Sequence, residues 1–199
     1  MKIDEHILST FLPKYLTPEK QADLWEEIRN FPRISRFYLS PELGVENALQ
    51  GDGWHGFSVI HFNTLEKKTI TGMVISNSCD IDPNNIRSHE GRVVFAPIVR
   101  MGKYRRLLEK NGMDADKLNG HFESIRRQEV TSIFYLPQVS SDFEESIVFL
   151  DDLHSQGISD FVATDRCRKF QLNQTAFYLL MIKLSIHFSR LNEGFSRYS

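Results

Sequence analysis

Thr69-Ile70-Thr71-Gly72-Met73-Val74-Ile75-Ser76-Asn77-Ser78-Cys79-Asp80 is the stretch on which the fold turns. It begins with alternation, runs into the apolar Met73, Val74 and Ile75, and empties into small polar residues. That is the pattern of a strand entering a core and released at a sheet rim. Further strands are predicted on both sides. Residues 57–62 are short, apolar and bounded by breakers, and 63–68 form a hairpin loop between the two. Residues 92–99 read as a buried strand, with Pro97 marking an edge or a bulge. Residues 130–136 return as strand, 137–145 make a long turn, and 146–150 pair back as the last major strand. The expected fold class is α+β, with a small, strongly bent, barrel-like antiparallel sheet at its centre.

Helices surround these strands. Residues 1–50 read as a helical lead-in, in which Thr17 caps a helix with Pro18 at its first position. Leu24, Trp25, Ile28 and Phe31 recur on one face, and Pro32 ends it. Residues 100–129 form a helical insertion in which Tyr104, Leu107 and Leu108 share a face and Gly112 stands at a C-terminal cap. A second helix runs from about 114 to 128. The terminal helix starts at the cap Asn173 and carries Phe177, Leu180, Met181, Leu184, Phe188 and Leu191 as a continuous apolar stripe. No repeat or linker divides the chain, so 1–199 reads as a single domain: the lead-in, a core over 55–100 and 131–190, and the insertion between its two parts.

Composition narrows the function classes. Hydrophobic residues make up 41% and charged residues 25%, enough apolar material for a sizeable core. The net charge of −2 gives no global attraction to nucleic acid or to membrane. Two distant cysteines, Cys79 and Cys167, form no disulfide framework and no zinc ribbon. The chain begins without an apolar leader, and its greasiest stretch is interrupted by Lys183. The expectation is a cytoplasmic protein with no membrane partner. Seven histidines lack ligand spacing, so neither a metal nor another cofactor is expected. Phosphate-loop, dinucleotide and nucleophile-elbow signatures are missing, which disfavours nucleotide-driven motors, Rossmann dehydrogenases and α/β-hydrolases.

Two features can carry chemistry. The first is the turn Ser76, Asn77, Ser78, Cys79, Asp80. The plain reading makes Cys79 a small buried hydrophobe, with Asn77 and Asp80 satisfying backbone groups. The functional reading makes Cys79 a nucleophile, activated by a short helical turn opened at Asp82-Pro83 or by His55 or His61. Those two histidines share a strand face only if no bulge separates them. The second feature is charge. Between 100 and 127, eight bases stand against four acids. Arg100, Lys103, Arg105, Arg106, Arg126 and Arg127, with Tyr104 to stack on a base, are the candidate nucleic-acid contacts. The plain reading of such a cluster is a solvated helical face.

The order of segments resembles the MazF/PemK toxin family. Val74-Ile75-Ser76-Asn77 and Ala96-Pro97-Ile98-Val99 are similar to the family's Val-Leu-Ser-Asn and Ala-Pro-Ile-Thr strand ends. Leu136-Pro137, Ser146-Ile147-Val148-Phe149-Leu150-Asp151 and the helix after Asn173 follow in the family's order. The resemblance covers 55–100 and 131–190. It implies an SH3-like barrel, dimerisation, a toxin–antitoxin or phage-defence setting, and cleavage of single-stranded RNA. The family's catalytic residues do not carry over. Ile70-Thr71 stands where the family has Arg-Pro, and Val99 replaces the catalytic Thr. A metal-independent endoribonuclease would therefore need a replacement acid–base pair, Asp80 with His55 or His61. The expected partner is nucleic acid, RNA ahead of DNA, together with a second copy or another protein. The competing readings are a non-enzymatic protein–protein interaction module and a Cys79-dependent enzyme.

Overall fold

The computed structural model describes residues 17, 19, 22–23, 26–27, 31, 36–44, 46–61, 63–82, 84–85, 87–138 and 143–188. Residues 19, 22–23 and 26–27 are helical, but Pro18, Leu24, Trp25, Ile28 and Pro32 of the expected lead-in helix lie outside the described residues, as does Leu191. The described chain is α+β, with a seven-stranded antiparallel sheet that is not closed. Its strands are β1 (Gly53–His61), β2 (Glu66–Val74), β3 (Arg92–Arg100), β4 (Ile133–Leu136), β5 (Ser146–Phe149), β6 (His154–Gly157) and β7 (Cys167–Phe170). The helices are α1 (Met101–Lys110), α2 (Ala115–Arg126), α3 (Ile158–Ala163) and α4 (Gln174–Phe188). None of the described helices is long and apolar enough to cross a membrane.

The strands lie in the order β4-β5-β3-β2-β1-β7, and β6 also pairs with β3. β3 is shared: its residues 92–95 pair with β6 and its residues 98–100 with β5. Pro97, which has no N–H to give, sits where one partner has ended and the other has not begun, while still facing Gly72 of β2. The expected edge position is thus corrected to a central strand at a change of partner. Two strands were missed by sequence reasoning. β6 (His-Ser-Gln-Gly) and β7 (Cys-Arg-Lys-Phe) are short and largely polar, so they carry no hydrophobic alternation. The last major strand is consequently not the one at 146–150.

β1 carries a bulge. Its register against β2 shifts between His55 and Phe57, around Gly56 at φ +118°. A Cβ there would stand 3.0 Å from Cβ of Arg166, so glycine is required both by the backbone and by the close approach of that arginine. The bulge buries both Trp54 and Phe57. Ser58 N, just beyond it, donates to Oε1 of the buried Gln156 on β6 at 2.9 Å. β3 and β2 stand between those strands in the sheet order, so the sheet curls far enough for one side chain to bridge it.

Among the described residues the core has three parts. One lies against α4 and gathers Met73, Phe134, Leu136, Val148, Leu150 and Leu180. The second holds Trp54, Phe57, Val74, Val93, Phe95 and Phe161. In it Phe57 stacks on Phe95 at 4.0 Å and on Phe161 at 4.7 Å between ring centres. The third seats α1 and α2 on β4 and β5 through Met101, Leu118, Phe122, Ile125, Ile133 and Ile147. Local signals hold the helices as expected. Asn173 Oδ1 accepts from Ala176 N at 2.8 Å, and Gly112 closes α1 at φ +81°. β4 ends the sheet, and its edge is protected. The side chain of Gln128, itself at φ +58°, accepts from Tyr135 N at 3.1 Å and donates to Tyr135 O at 2.8 Å.

Candidate functional site

The polar turn after β2 is a 3-10 turn, Ser78–Ile81, opened by Asn77, whose side chain accepts from Cys79 N at 2.9 Å. Asp82 opens a further turn, its side chain accepting from Asn84 N at 2.9 Å and its carbonyl from Asn85 N at 3.2 Å, while Pro83 lies outside the described residues. Most of the motif is engaged in holding backbone. Ser76 Oγ accepts from Val94 N at 2.7 Å, and Ser78 Oγ accepts from Gln50 N at 2.9 Å. Asn85 and Arg87 donate to the carbonyl oxygens of Cys79 and Asp80. Cys79 itself is exposed, which overturns the reading of it as a buried hydrophobe.

Cys79 and Ser78 line a cavity of about 180 Å³. Its apolar walls come from Ala48 and Leu49, from Ile81 and Val93, and from Ile158, Phe161 and Val162 of α3. Arg166 also lines it, with its guanidinium 4.9 Å above the Phe161 ring and 5.3 Å above Trp54. No sequence signal could have found Arg166. It reaches the turn only because β7 pairs with β1 and the glycine bulge leaves room for it. The 47–49 wall is fixed by the buried Asp52, whose carboxylate accepts from Leu49 N at 3.1 Å and from Gln171 Nε2 at 2.9 Å. Burial raises the Asp52 carboxyl to about 6 against the pull of those donors.

The histidines stand apart from this turn. His61 pairs with Glu66 at the far end of the β1–β2 hairpin and its Nδ1 lies 3.1 Å from Thr64 Oγ1. His55 Nδ1 lies 3.2 Å from Thr71 Oγ1, and the bulge breaks the alternation between the two histidines. Asp80 is exposed, and no hydrogen bond or ion pair joins it to His55 or His61. No group of three His, Cys, Asp or Glu side chains among the described residues could hold a metal ion.

The basic segment divides in two. Arg100 pairs with Glu144 at 3.3 Å, and Arg105 with Glu109 at 3.2 Å and Asn119 at 2.6 Å. Arg126 forks onto Glu145 at 2.8 and 3.0 Å and reaches Glu123 at 3.0 Å. Tyr135 also donates to Glu145 at 2.6 Å. Arg126, first among these partners, holds the Glu145 carboxyl below its usual range. Arg126 thus fastens α2 to the segment entering β5, Arg105 ties α1 to α2, and Arg100 ties the end of β3 to the same segment before β5. Lys103, Arg106, Lys110, Lys117 and Arg127 are exposed and form no ion pair with another described residue. At 3.6 residues per turn, Lys103, Arg106, Leu107 and Lys110 fall within an arc of about 100°. Leu107, at one edge of it, is 53% exposed. Tyr104 points the other way. Its ring packs on Phe122 and Phe149, and its hydroxyl lies 3.2 Å from His121 Nε2. The shared apolar face expected for Tyr104, Leu107 and Leu108 is thus corrected: Leu107 belongs to the outer stripe.

A comparison with known proteins finds no family model that matches this chain and no match among curated proteins.

Proposed function

We propose that this chain binds single-stranded RNA across the outer stripe of α1, as a divergent MazF/PemK-like barrel protein. The observation that carries the reading is the row Lys103, Arg106 and Lys110 beside the exposed Leu107, with no acid on that face of the helix. Unpaired cations attract phosphates, and an exposed apolar side chain next to them can contact an unstacked base. The barrel reading draws support from the curl of the sheet, where Gln156 spans from β6 to β1. The strand that leads into Ser76-Asn77 and the strand that carries Ala96-Pro97 are also neighbours, Met73 pairing with Ala96.

Binding should weaken steeply with salt. A site that uses all five free bases gives a slope of log K against log salt near −3.5, taking about −0.7 per phosphate on a single strand. Lys103→Ala, Arg106→Ala and Lys110→Ala combined should make the slope shallower by about 2. Fluorescence anisotropy with a labelled single strand, measured over a range of salt, checks both numbers. An unchanged slope in the triple variant would remove this face from the interface. Incubation with long RNA in excess chelator, beside an Asp80→Ala variant, separates binding from cleavage. Fragments from the wild type alone would assign metal-independent cleavage to the Ser76–Asp80 turn.

A Cys79-dependent reading is favoured by one observation, the exposure of the thiol at the second position of a capped 3-10 turn and in the wall of a cavity. Rapid alkylation of Cys79 near neutral pH, well ahead of Cys167, would support it; equal rates would count against an activated thiol.

A further inference from the structure

The cavity beside Cys79 stands apart from the basic stripe. It lies at the Val93 end of β3, whereas the basic stripe starts beyond Arg100, roughly 24 Å along the strand at 3.4 Å per residue. Three properties define what it can hold. Its volume of about 180 Å³ is close to that of an apolar cavity of about 150 Å³ known to take benzene, so its occupant is a single ring or a short branched chain. Its walls are mainly apolar, and their rigidity comes from Phe161, which is buried and stacked on Phe57. Its cation is Arg166, seated on two aromatic rings and without a hydrogen bond or ion pair to any described residue. A half-buried guanidinium has five N–H donors in a planar fork, matched by a carboxylate. The anion of the lining, Asp82, accepts through Oδ1 from Asn84 N at 2.9 Å and Asn84 Nδ2 at 3.1 Å.

From this juxtaposition we infer that the cavity binds a small organic acid, its carboxylate on Arg166 and its compact apolar body between Ile81, Val93, Ile158 and Phe161. The site is independent of RNA binding.

Benzoate is the probe. For an acid of about nine heavy atoms, the expected Kd is on the order of 1 mM. Equilibrium dialysis of labelled benzoate against the full chain should show one saturable site. Bound benzoate should slow alkylation of Cys79, which lines the cavity, and leave the exposed Cys167 on β7 unaffected. Benzamide has the same shape without the charge and should bind at least about tenfold more weakly. Arg166→Met should lose benzoate to the same degree. The wild-type comparison of benzoate with benzamide stands even if that variant folds poorly. No saturable binding up to about ten times the expected Kd would overturn the inference. So would equal affinity for benzamide, equal protection of both cysteines, or undiminished binding by a folded Arg166→Met variant.

Discussion

Raising the pH from about 7.5 to 9.5 should make this protein more stable, by on the order of 2 kcal/mol. The group responsible is Lys183 on α4, which is 1% exposed. Its ammonium donates to Gln128 O at 3.0 Å and to Val130 O at 2.5 Å, just past the C-terminal end of α2. Those carbonyls suit a cation, since a helix C-terminus carries partial negative charge. Burial nevertheless lowers the Lys183 ammonium to about 7. An unfolded lysine keeps its proton to about 10.4. Between those values the unfolded chain binds more protons than the folded one, so the unfolding free energy climbs with pH. Asp52, held at about 6 by burial, has already ionised below this window. Tyr38 and Tyr135, both pushed up by burial, oppose the trend only above about pH 10. Lys183→Met keeps the apolar stem and removes the titration. Its stability should stay flat across the window and fall further behind the wild type as pH rises. Lys183→Ala should cost roughly 3 kcal/mol through the cavity left behind and the two unpaired carbonyls. Urea unfolding at several pH values measures all three chains, and a wild type as flat as Lys183→Met would refute this account of the buried amine.

Phe57→Ala should be the most damaging single truncation in the β1–β3 core, at about 3–5 kcal/mol. The ring is fully buried between Phe95 and Phe161. It also packs over Gly72, where a Cβ would stand 2.8 Å from Phe57 and 2.9 Å from Phe95, so β2 is shaped to let the two rings meet. Removing Phe57 takes the support from Phe161 and should weaken benzoate binding along with stability. A loss of this size is a large share of the 5–15 kcal/mol that folded domains ordinarily have. Phe188→Ala is the matched control. That ring is 58% exposed, and its removal should change stability by less than about 0.5 kcal/mol. Chemical denaturation compares the two variants, and similar losses would mean that the stacked rings are not a core.

The sequence by itself determined the features that depend on near neighbours. The apolar run ending at Ile75 makes β2, Asn173 starts α4, and Gly112 ends α1, because periodicity and capping act within a few residues. The charge excess between 100 and 127 was equally legible, but not its division into cations that fasten the helices and cations left free. For Arg100 and Arg126 that division depends on Glu144 and Glu145, which arrive with β5, and for Arg105 partly on Asn119 of α2. Tertiary structure alone decided the rest. β6 and β7 are strands because β3 and β1 offer backbone groups to pair with, while their own side chains carry no strand pattern. Tyr104 turned inward and Leu107 outward because Phe122 and Phe149 lie on one side of α1 only. Arg166 meets the Cys79 turn, and Lys183 meets the end of α2, across long stretches of chain. Such contacts are set by which surfaces the packed elements bring together, and no local residue pattern encodes that.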